Sequence, residues 1–269
     1  MIWQEEKLNA NVIVVDKPYG LPSYAVVDWY KKVFPGKVGH GGTLDPLATG
    51  KLVILTGNAT KQASDFLNNT KQYEMTILLG AETSSADLEQ MVEIAEAQMV
   101  FPEQSKLVQS LKTLEQHYVQ EVPQYSAVKQ DGQKLYDTAR AGEEVALPTR
   151  EVSITFEDIS EVSQCTGKEI SGKVGEMKET LAQNYQNLSS EWQQNFNRTL
   201  FPKYEDIGHR LAVMLEKQSE AFMQSSATFG LLTVTVTISK GGYMRSLAED
   251  VGKLLNTTAL VLNLRRTGV

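Results

Sequence analysis

The run Gly39-His40-Gly41-Gly42-Thr43-Leu44-Asp45-Pro46-Leu47-Ala48-Thr49-Gly50 gathers more reactive and structure-breaking residues than any other stretch of the chain. Glycine lets a backbone take positive φ or come close to a ligand, and Thr43 and Asp45 bring a hydroxyl and a carboxylate to the same loop. Such a loop can present an acid, a nucleophile or a metal ligand. Local chemistry is equally satisfied by a plain connection in which Asp45-Pro46 opens a turn and Thr49-Gly50 closes it. Spacing excludes two alternatives. No Gly-x-x-x-x-Gly-Lys-Ser/Thr run is present, so this is not a P-loop, and one carboxylate without a second close by is not a glycosidase pair.

The elements that must position this loop follow from the apolar pattern. Asn11 to Val15 (NVIVV) reads as a strand ending in the turn Asp16-Lys17-Pro18-Tyr19-Gly20. Ser23 caps a helix to about Phe34, with Val26, Val27, Tyr30 and Val33 on one face. Strands at 51–55 and 73–79 flank a short helix at 59–67, so residues 1–80 read as a mixed sheet with helices packed on it. Residues 88–118 are acidic and read as helices around Pro102. Residues 122–150, with Pro123, Gly132, Gly142 and Pro148, read as an extended excursion with a short helix near 134–141. Alternation at 150–159 predicts a half-buried strand. From about 162 to 226 Gln, Asn, Glu and Ser surround periodic apolar residues, among them Trp192, Phe196, Leu211, Met214 and Leu215, which predicts an inserted helical element. Strand alternation returns at 231–238, followed by Ser239-Lys240-Gly241-Gly242, a helix over 244–255 and a terminal strand at 260–264. The whole is an α+β pattern with one core interrupted by a peripheral insertion.

Composition narrows the setting. At 269 residues, 41% hydrophobic and 22% charged, the chain is globular. One cysteine and three histidines leave little for a disulfide or a metal site. The N-terminus lacks a basic start followed by an apolar run, and no apolar stretch approaches a membrane span, so a cytoplasmic protein is expected. A net charge of −7 opposes nucleic-acid binding at face value. The last 41 residues, however, carry five Lys or Arg against two Asp or Glu, which leaves room for a local basic surface.

The run Val38 to Gly50 closely resembles the catalytic motif of TruB-type pseudouridine synthases, which isomerise a uridine in the T-loop of tRNA. Four further segments agree in the family's order. They are Asp16-Lys17-Pro18-Tyr19-Gly20 with Ser23; Lys71-Gln72-Tyr73 leading to Gly80, Thr83 and Asp87; Pro123 to Lys129 with Gly132, Tyr136, Arg140 and Gly142; and Ser239 to Leu247 with Asp250, Gly252 and Leu264-Arg265-Arg266. The resemblance spans roughly 1–160 and 230–269. It implies an α+β pseudouridine synthase fold, a mixed and largely antiparallel sheet flanked by helices, forming a single catalytic domain over 1–269.

The resemblance also implies roles. Asp45 is the catalytic aspartate, Tyr73 the tyrosine whose ring stacks on the uracil, and Arg245 the guanidinium that favours a charged carboxylate. Tyr243 and Leu264 line the uracil pocket, and Lys17 and Lys129 make backbone or substrate contacts near it. His40 fills the space left when the target uridine is flipped out. Residues 122–150 act as a thumb, with Lys129, Lys134, Arg140 and Arg150 facing phosphates, and RNA is read mainly by shape and backbone. The reaction breaks the N-glycosidic bond, turns the uracil and rejoins it to ribose through C5. It needs no outside reactant, so no cofactor and no metal are implied. The implied partner is the T-arm of tRNA, engaged by a monomer without a membrane.

Three features depart from the family pattern. Many members continue into a small RNA-binding PUA domain, whereas this sequence stops at Val269, which predicts weaker tRNA affinity or contacts limited to the T-arm. Residues 162–226 exceed the usual connection, and their slight acidity favours a stabilising or protein-interaction role over RNA contact. Ser84-Ser85 near Asp87 bears on substrate choice. A rival from another class is an RNA-binding protein or tRNA-folding chaperone that keeps the fold, against which Asp45, Tyr73 and Arg245 all stand.

Overall fold

The β-branched runs become strands buried on both faces. A computed structural model describes residues 3–95, 101–115, 117–126, 128–130, 132–135, 138, 146–197 and 202–269. They form two compact units, Met1–Glu74 with Thr166–Ser226 and Asn263–Val269, and Met75–Cys165 with Ala227–Leu262.

In the first unit, β1 (Glu5–Asn9) pairs with β2 (Val12–Lys17), and β2 with β4 (Thr49–Thr56), both antiparallel. β3 (Val38–His40) runs antiparallel to the far end of β4. The last residues of β15 (Ala259–Gly268) lie parallel to its start, Arg265 opposite Thr49 and Arg266 opposite Gly50. The first residues of β5 (Lys71–Leu79) follow β15 in the strand order. Val12, Val14, Val53 and Leu55 pack with Ala59, Ala63 and Phe66, the last two on the short helix α2 (Ala63–Asn68). Helix α1 (Ser23–Val33) buries Val26, Val27, Trp29 and Tyr30, while Val33 is exposed rather than part of that face.

In the second unit the order is β15, β5, β14 (Thr228–Ile238) and β12 (Ile154–Ile159), with a bulge between Phe156 and Asp158. β6 (Ala81–Glu82) pairs with β7 (Glu93–Ile94), β8 (Tyr118–Glu121) with β11 (Thr149–Val152), and β9 (Lys129–Gln130) with β10 (Gln133–Lys134). Two helices, α3 (Gln104–Thr113) and α6 (Met244–Leu254), pack on each other. Antiparallel pairs dominate, as expected for this mixed α+β sheet.

Two expectations need correction. Residues 88–118 hold one described helix, not a set of them. Upstream of Pro102 the Asp87 carboxylate accepts from Glu89 N–H (2.9 Å), a local bond that favours a turn over a helix, and Glu93–Ile94 pair as β7. The stretch from 162 also starts as a strand, β13 (Ser163–Thr166). Helix begins only where Thr166 and Glu169 form a reciprocal capping box that opens α4 (Gly167–Phe196). Of the helix expected at 134–141, most residues lie outside those described.

α4 and α5 (Pro202–Gln224) run antiparallel, as Ser171–Ser219, Lys178–Glu216 and the packing of Tyr185 on Gly208 require. Trp192 is fully buried, and Phe196 stands edge-on to both Trp192 and Trp29 of α1. Among the described residues no helix is long and apolar enough to cross a membrane.

One position fixes the β4–β15 register. Gly50 has φ +99°, and a Cβ there would lie 2.2 Å from the Arg266 carbonyl oxygen. Gly50→Ala is therefore expected to cost about 2 kcal/mol or more, seen as a fall of several degrees in melting temperature. An unchanged melting temperature would show that this close approach is absent.

Candidate active site

A carboxylate on a loop is useful only if the loop holds still, and the residues either side of Asp45 are each bound by a buried polar group. Ser23 Oγ, at the start of α1, donates to the Leu44 carbonyl and accepts from the Leu44 N–H, both at 2.8 Å. The Pro46 carbonyl accepts from Gly20 N–H (2.9 Å) and from Lys17 Nζ (3.1 Å). Lys17 has no exposed surface, and its ammonium also donates to the carbonyls of Leu21 (2.6 Å) and Pro18 (3.0 Å). The resemblance allows Lys17 a backbone or a substrate contact, and this geometry is the backbone one. Asp45 itself is half-buried, and its carbonyl closes a turn with Ala48 N–H (3.1 Å).

The glycine end of the loop is tied from β15. Arg266, 2% exposed, donates from Nε to the Lys51 carbonyl (2.6 Å), from Nη2 to Gly42 (3.1 Å) and from Nη1 to Thr43 (3.4 Å). Gly42 takes φ +137°, a backbone conformation that residues with a Cβ rarely adopt. Leu264 is buried two residues earlier, its carbonyl accepting from Thr49 Oγ1 (3.4 Å). Lys71, at the start of β5, turns inward to the Phe66 (2.5 Å) and Asn69 (2.7 Å) carbonyls, and burial followed by the Arg266 charge lowers its pKa. Tyr73 is half-buried two residues on, where Thr267 Oγ1 donates to Gln72 Oε1 (2.8 Å) and joins β5 to β15. Lys17, His40, Asp45 and Leu264 thus share one loop and its supports.

Arg245 and Tyr243 belong to the second unit. Arg245, nearly buried at the head of α6, donates from Nη1 to the Ser85 carbonyl (2.9 Å) and from Nη2 to that of Tyr125 (3.0 Å), with Nε 3.7 Å from the Asp87 carboxylate. Asp87 is in turn held by Ser85 Oγ (2.6 Å) and Glu89 N–H (2.9 Å). The half-buried Tyr243 is gripped at both ends of its backbone by one side chain, Gln120, which accepts from its N–H (2.6 Å) and donates to its carbonyl (2.7 Å). Gln120 also donates to Tyr118 Oη (2.9 Å), whose hydroxyl donates to Asp250 (2.8 Å). Burial, then the Asp250 charge, pushes that phenol far above its usual pKa. Lys129 is exposed on β9, and Arg150 is exposed over Gly241. Arg140 lies outside the described residues.

Beside Ser85 a cavity of about 420 Å³ has Glu82, Glu93, Glu121, Ser246, Glu249 and Lys253 in its lining. Burial raises the pKa of Glu249. With one cation against four carboxylates, this cavity repels phosphate. Among the described residues no three His, Cys, Asp or Glu converge as a metal site would need.

Reading the sequence for chemistry passed over Arg266, Asp87 and Gln120 as site residues. Gln120 carried a signal, since it occupies an inward position of the alternating strand Tyr118–Glu121, where a polar side chain needs a partner. Arg266 carried none beyond its motif, because three of its acceptors are carbonyls that only folding brings near.

His40 yields a test. Its Nδ1 accepts from Gly42 N–H (3.3 Å), and burial, then the Arg266 charge, holds its pKa below the ordinary value. The unfolded chain therefore takes up a proton first, and stability falls as pH drops below about 6.5. His40→Gln is expected to flatten this part of the stability curve when denaturant midpoints are compared at about pH 7.5 and 5.5. An identical drop in both proteins would assign the effect to another group.

Residues 31–181 match the model of the TruB family pseudouridylate synthase (N terminal domain). The tRNA pseudouridine synthase B of Caldicellulosiruptor saccharolyticus is 30% identical over 95% of this chain and 66% of its own length. For that of Desulfotalea psychrophila the figures are 30%, 98% and 83%, and for that of Cupriavidus metallidurans 32%, 96% and 62%. A chain from a crystal structure of a Cbf5-Nop10-Gar1 complex shares the fold at a TM-score of 0.50 and 24% identity, over 96% of this chain and 48% of its own. The chain spans two thirds or less of three of these four. With more than half of its residues matched by the family model, this chain belongs to the TruB family of pseudouridylate synthases.

Proposed function

We propose that this protein converts uridine to pseudouridine in tRNA, at a uridine of the T-loop, with Asp45 as the catalytic carboxylate. The observation that carries the reading is the bracing of Asp45. Ser23 fixes Leu44 and Lys17 with Gly20 fixes Pro46, so the carboxylate is presented by a loop with little freedom left. Preorganisation of this kind is what an isomerisation within one bound nucleoside needs, because no second substrate has to be brought in. Membership of the TruB family and relatives named for action on tRNA support the same reading.

Each remaining residue then has a task. Tyr73 stacks on the uracil while the glycosidic bond is open, and Tyr243 and Leu264 take the base-contacting roles that the family resemblance implies. Arg245, paired with Asp87, holds the Ser85 and Tyr125 carbonyls in place on its side of the site. His40, kept neutral by burial, fills the gap left by the flipped uridine at no cost in charge desolvation. The exposed Lys129 and Arg150 meet phosphates of the T-arm. The protein works as a cytoplasmic monomer.

The direct test is pseudouridine formation in an unmodified tRNA transcript, mapped by position, for wild type and Asp45→Asn. Wild type is expected to convert the T-loop uridine, while Asp45→Asn converts none and keeps its tRNA affinity within about threefold. Tight binding with no conversion by wild type would overturn the enzymatic reading in favour of an RNA-binding role.

A further inference from the structure

The helical hairpin α4–α5 touches the catalytic loop's support at one defined place. Asn184 Nδ2 donates to the Tyr19 carbonyl (3.0 Å), Tyr185 Oη donates to the Gly20 carbonyl (3.2 Å), and Leu181 lies against the Gly20 Cα. A Cβ at Gly20 would come within 2.9 Å of Leu181 Cδ1, and the residue has φ +83°. The Tyr19–Gly20 peptide faces the other way through the Gly20 N–H, which donates to the Pro46 carbonyl. The turn from Lys17 to Ser23 is therefore held between the hairpin and the residues flanking Asp45. Elsewhere the hairpin is anchored to α1, by Tyr204 and Lys203 on Asp28 and by Phe196 on Trp29. α1 begins at Ser23, the residue that brackets Leu44.

We propose that Asn184 and Tyr185 are positioning residues for the catalytic loop, setting the place of Asp45 through the Tyr19–Gly20 turn and the Pro46 carbonyl. This inference rests on the proposed isomerase reading for its effect on rate, though not for its effect on the loop. A turn of Pro, Tyr and Gly has no ladder of its own, and two of its carbonyls point away from β2 toward the hairpin. Without donors there, those carbonyls turn to water and the turn gains freedom. Because Gly20 carries Pro46 on its other side, that freedom passes to Asp45 with no residue of the hairpin approaching the substrate. The slightly acidic hairpin thereby acts on catalysis without needing to meet RNA.

Deleting the hairpin would also remove Leu181 and Trp192 from the core, so smaller changes make the better test. Tyr185→Phe removes one hydroxyl and keeps the ring packed on Gly208, and Asn184→Ala removes one amide. Ser190→Ala, on the exposed side of α4, serves as the control. Two readouts are taken on the full chain, amide hydrogen exchange over residues 17–50 and the single-turnover rate of pseudouridine formation on a tRNA transcript.

The double variant Asn184→Ala/Tyr185→Phe is expected to exchange faster at Gly20, Leu44 and Ala48 and to react about tenfold more slowly. Its tRNA affinity and melting temperature should stay close to wild type, and Ser190→Ala should change nothing. Unchanged exchange overturns the proposal, as does faster exchange with an unchanged rate, or a rate loss that disappears when both proteins are assayed well below their melting temperatures. If wild type forms no pseudouridine while exchange at these amides still rises in the double variant, the isomerase reading fails and the mechanical link stands.

Discussion

The structure around the candidate site depends on one buried ammonium. Taking Lys17 Nζ out of water is costly unless each of its protons meets an acceptor. The chain supplies the carbonyls of Pro18, Leu21 and Pro46, drawn from two segments about thirty residues apart. Those carbonyls can converge only if the 18–21 turn curls back on the end of β2, for which Gly20 must take positive φ, and only if the loop after Asp45 lies against that turn. The position of Asp45 is thus a consequence of satisfying a charge that never reaches solvent.

Arg266 solves the matching problem at the other end of the loop. Glycines 41 and 42 give the backbone freedom to pass close to Phe66, Lys71 and Leu67, and freedom of that kind must be taken back for the loop to be rigid. A planar guanidinium with donors in fixed directions does so by reaching three carbonyls at once. In the second unit the neutral amide of Gln120 holds the Tyr243 backbone by the same logic. The segments around Asp45 and Tyr243 have no regular hydrogen-bond ladder, and buried polar side chains from distant parts of the sequence stand in for it.

Charge is divided in a related way. The net −7 is concentrated away from the loop, and a cavity of the second unit has an acidic lining. Under the proposed function RNA is met by a few exposed cations, among them Lys129 and Arg150, and the hairpin contributes stiffness in place of charge.

Much of this was legible in the sequence. The buried strands β2, β4, β5 and β14 announce themselves by continuous or alternating β-branched residues, α1 and α6 by their periodicity, and the loop around Asp45 by glycines, a hydroxyl and a carboxylate packed into twelve residues. Such signals are local, because each reflects the preference of a short segment and the period of one apolar face. β1 was invisible, since Glu5–Asn9 is exposed along its length and is a strand only because β2 offers its edge. Nor could sequence say that Lys17 would be buried, that Arg266 would reach Gly42, or that Asn184 and Tyr185 would dock on the Tyr19–Gly20 turn. Motif and periodicity singled out the candidate residues and most of the elements on which they lie. Which backbone carbonyls hold them still was decided only by the tertiary structure, because a carbonyl is common to every residue and its partner is chosen by proximity in space.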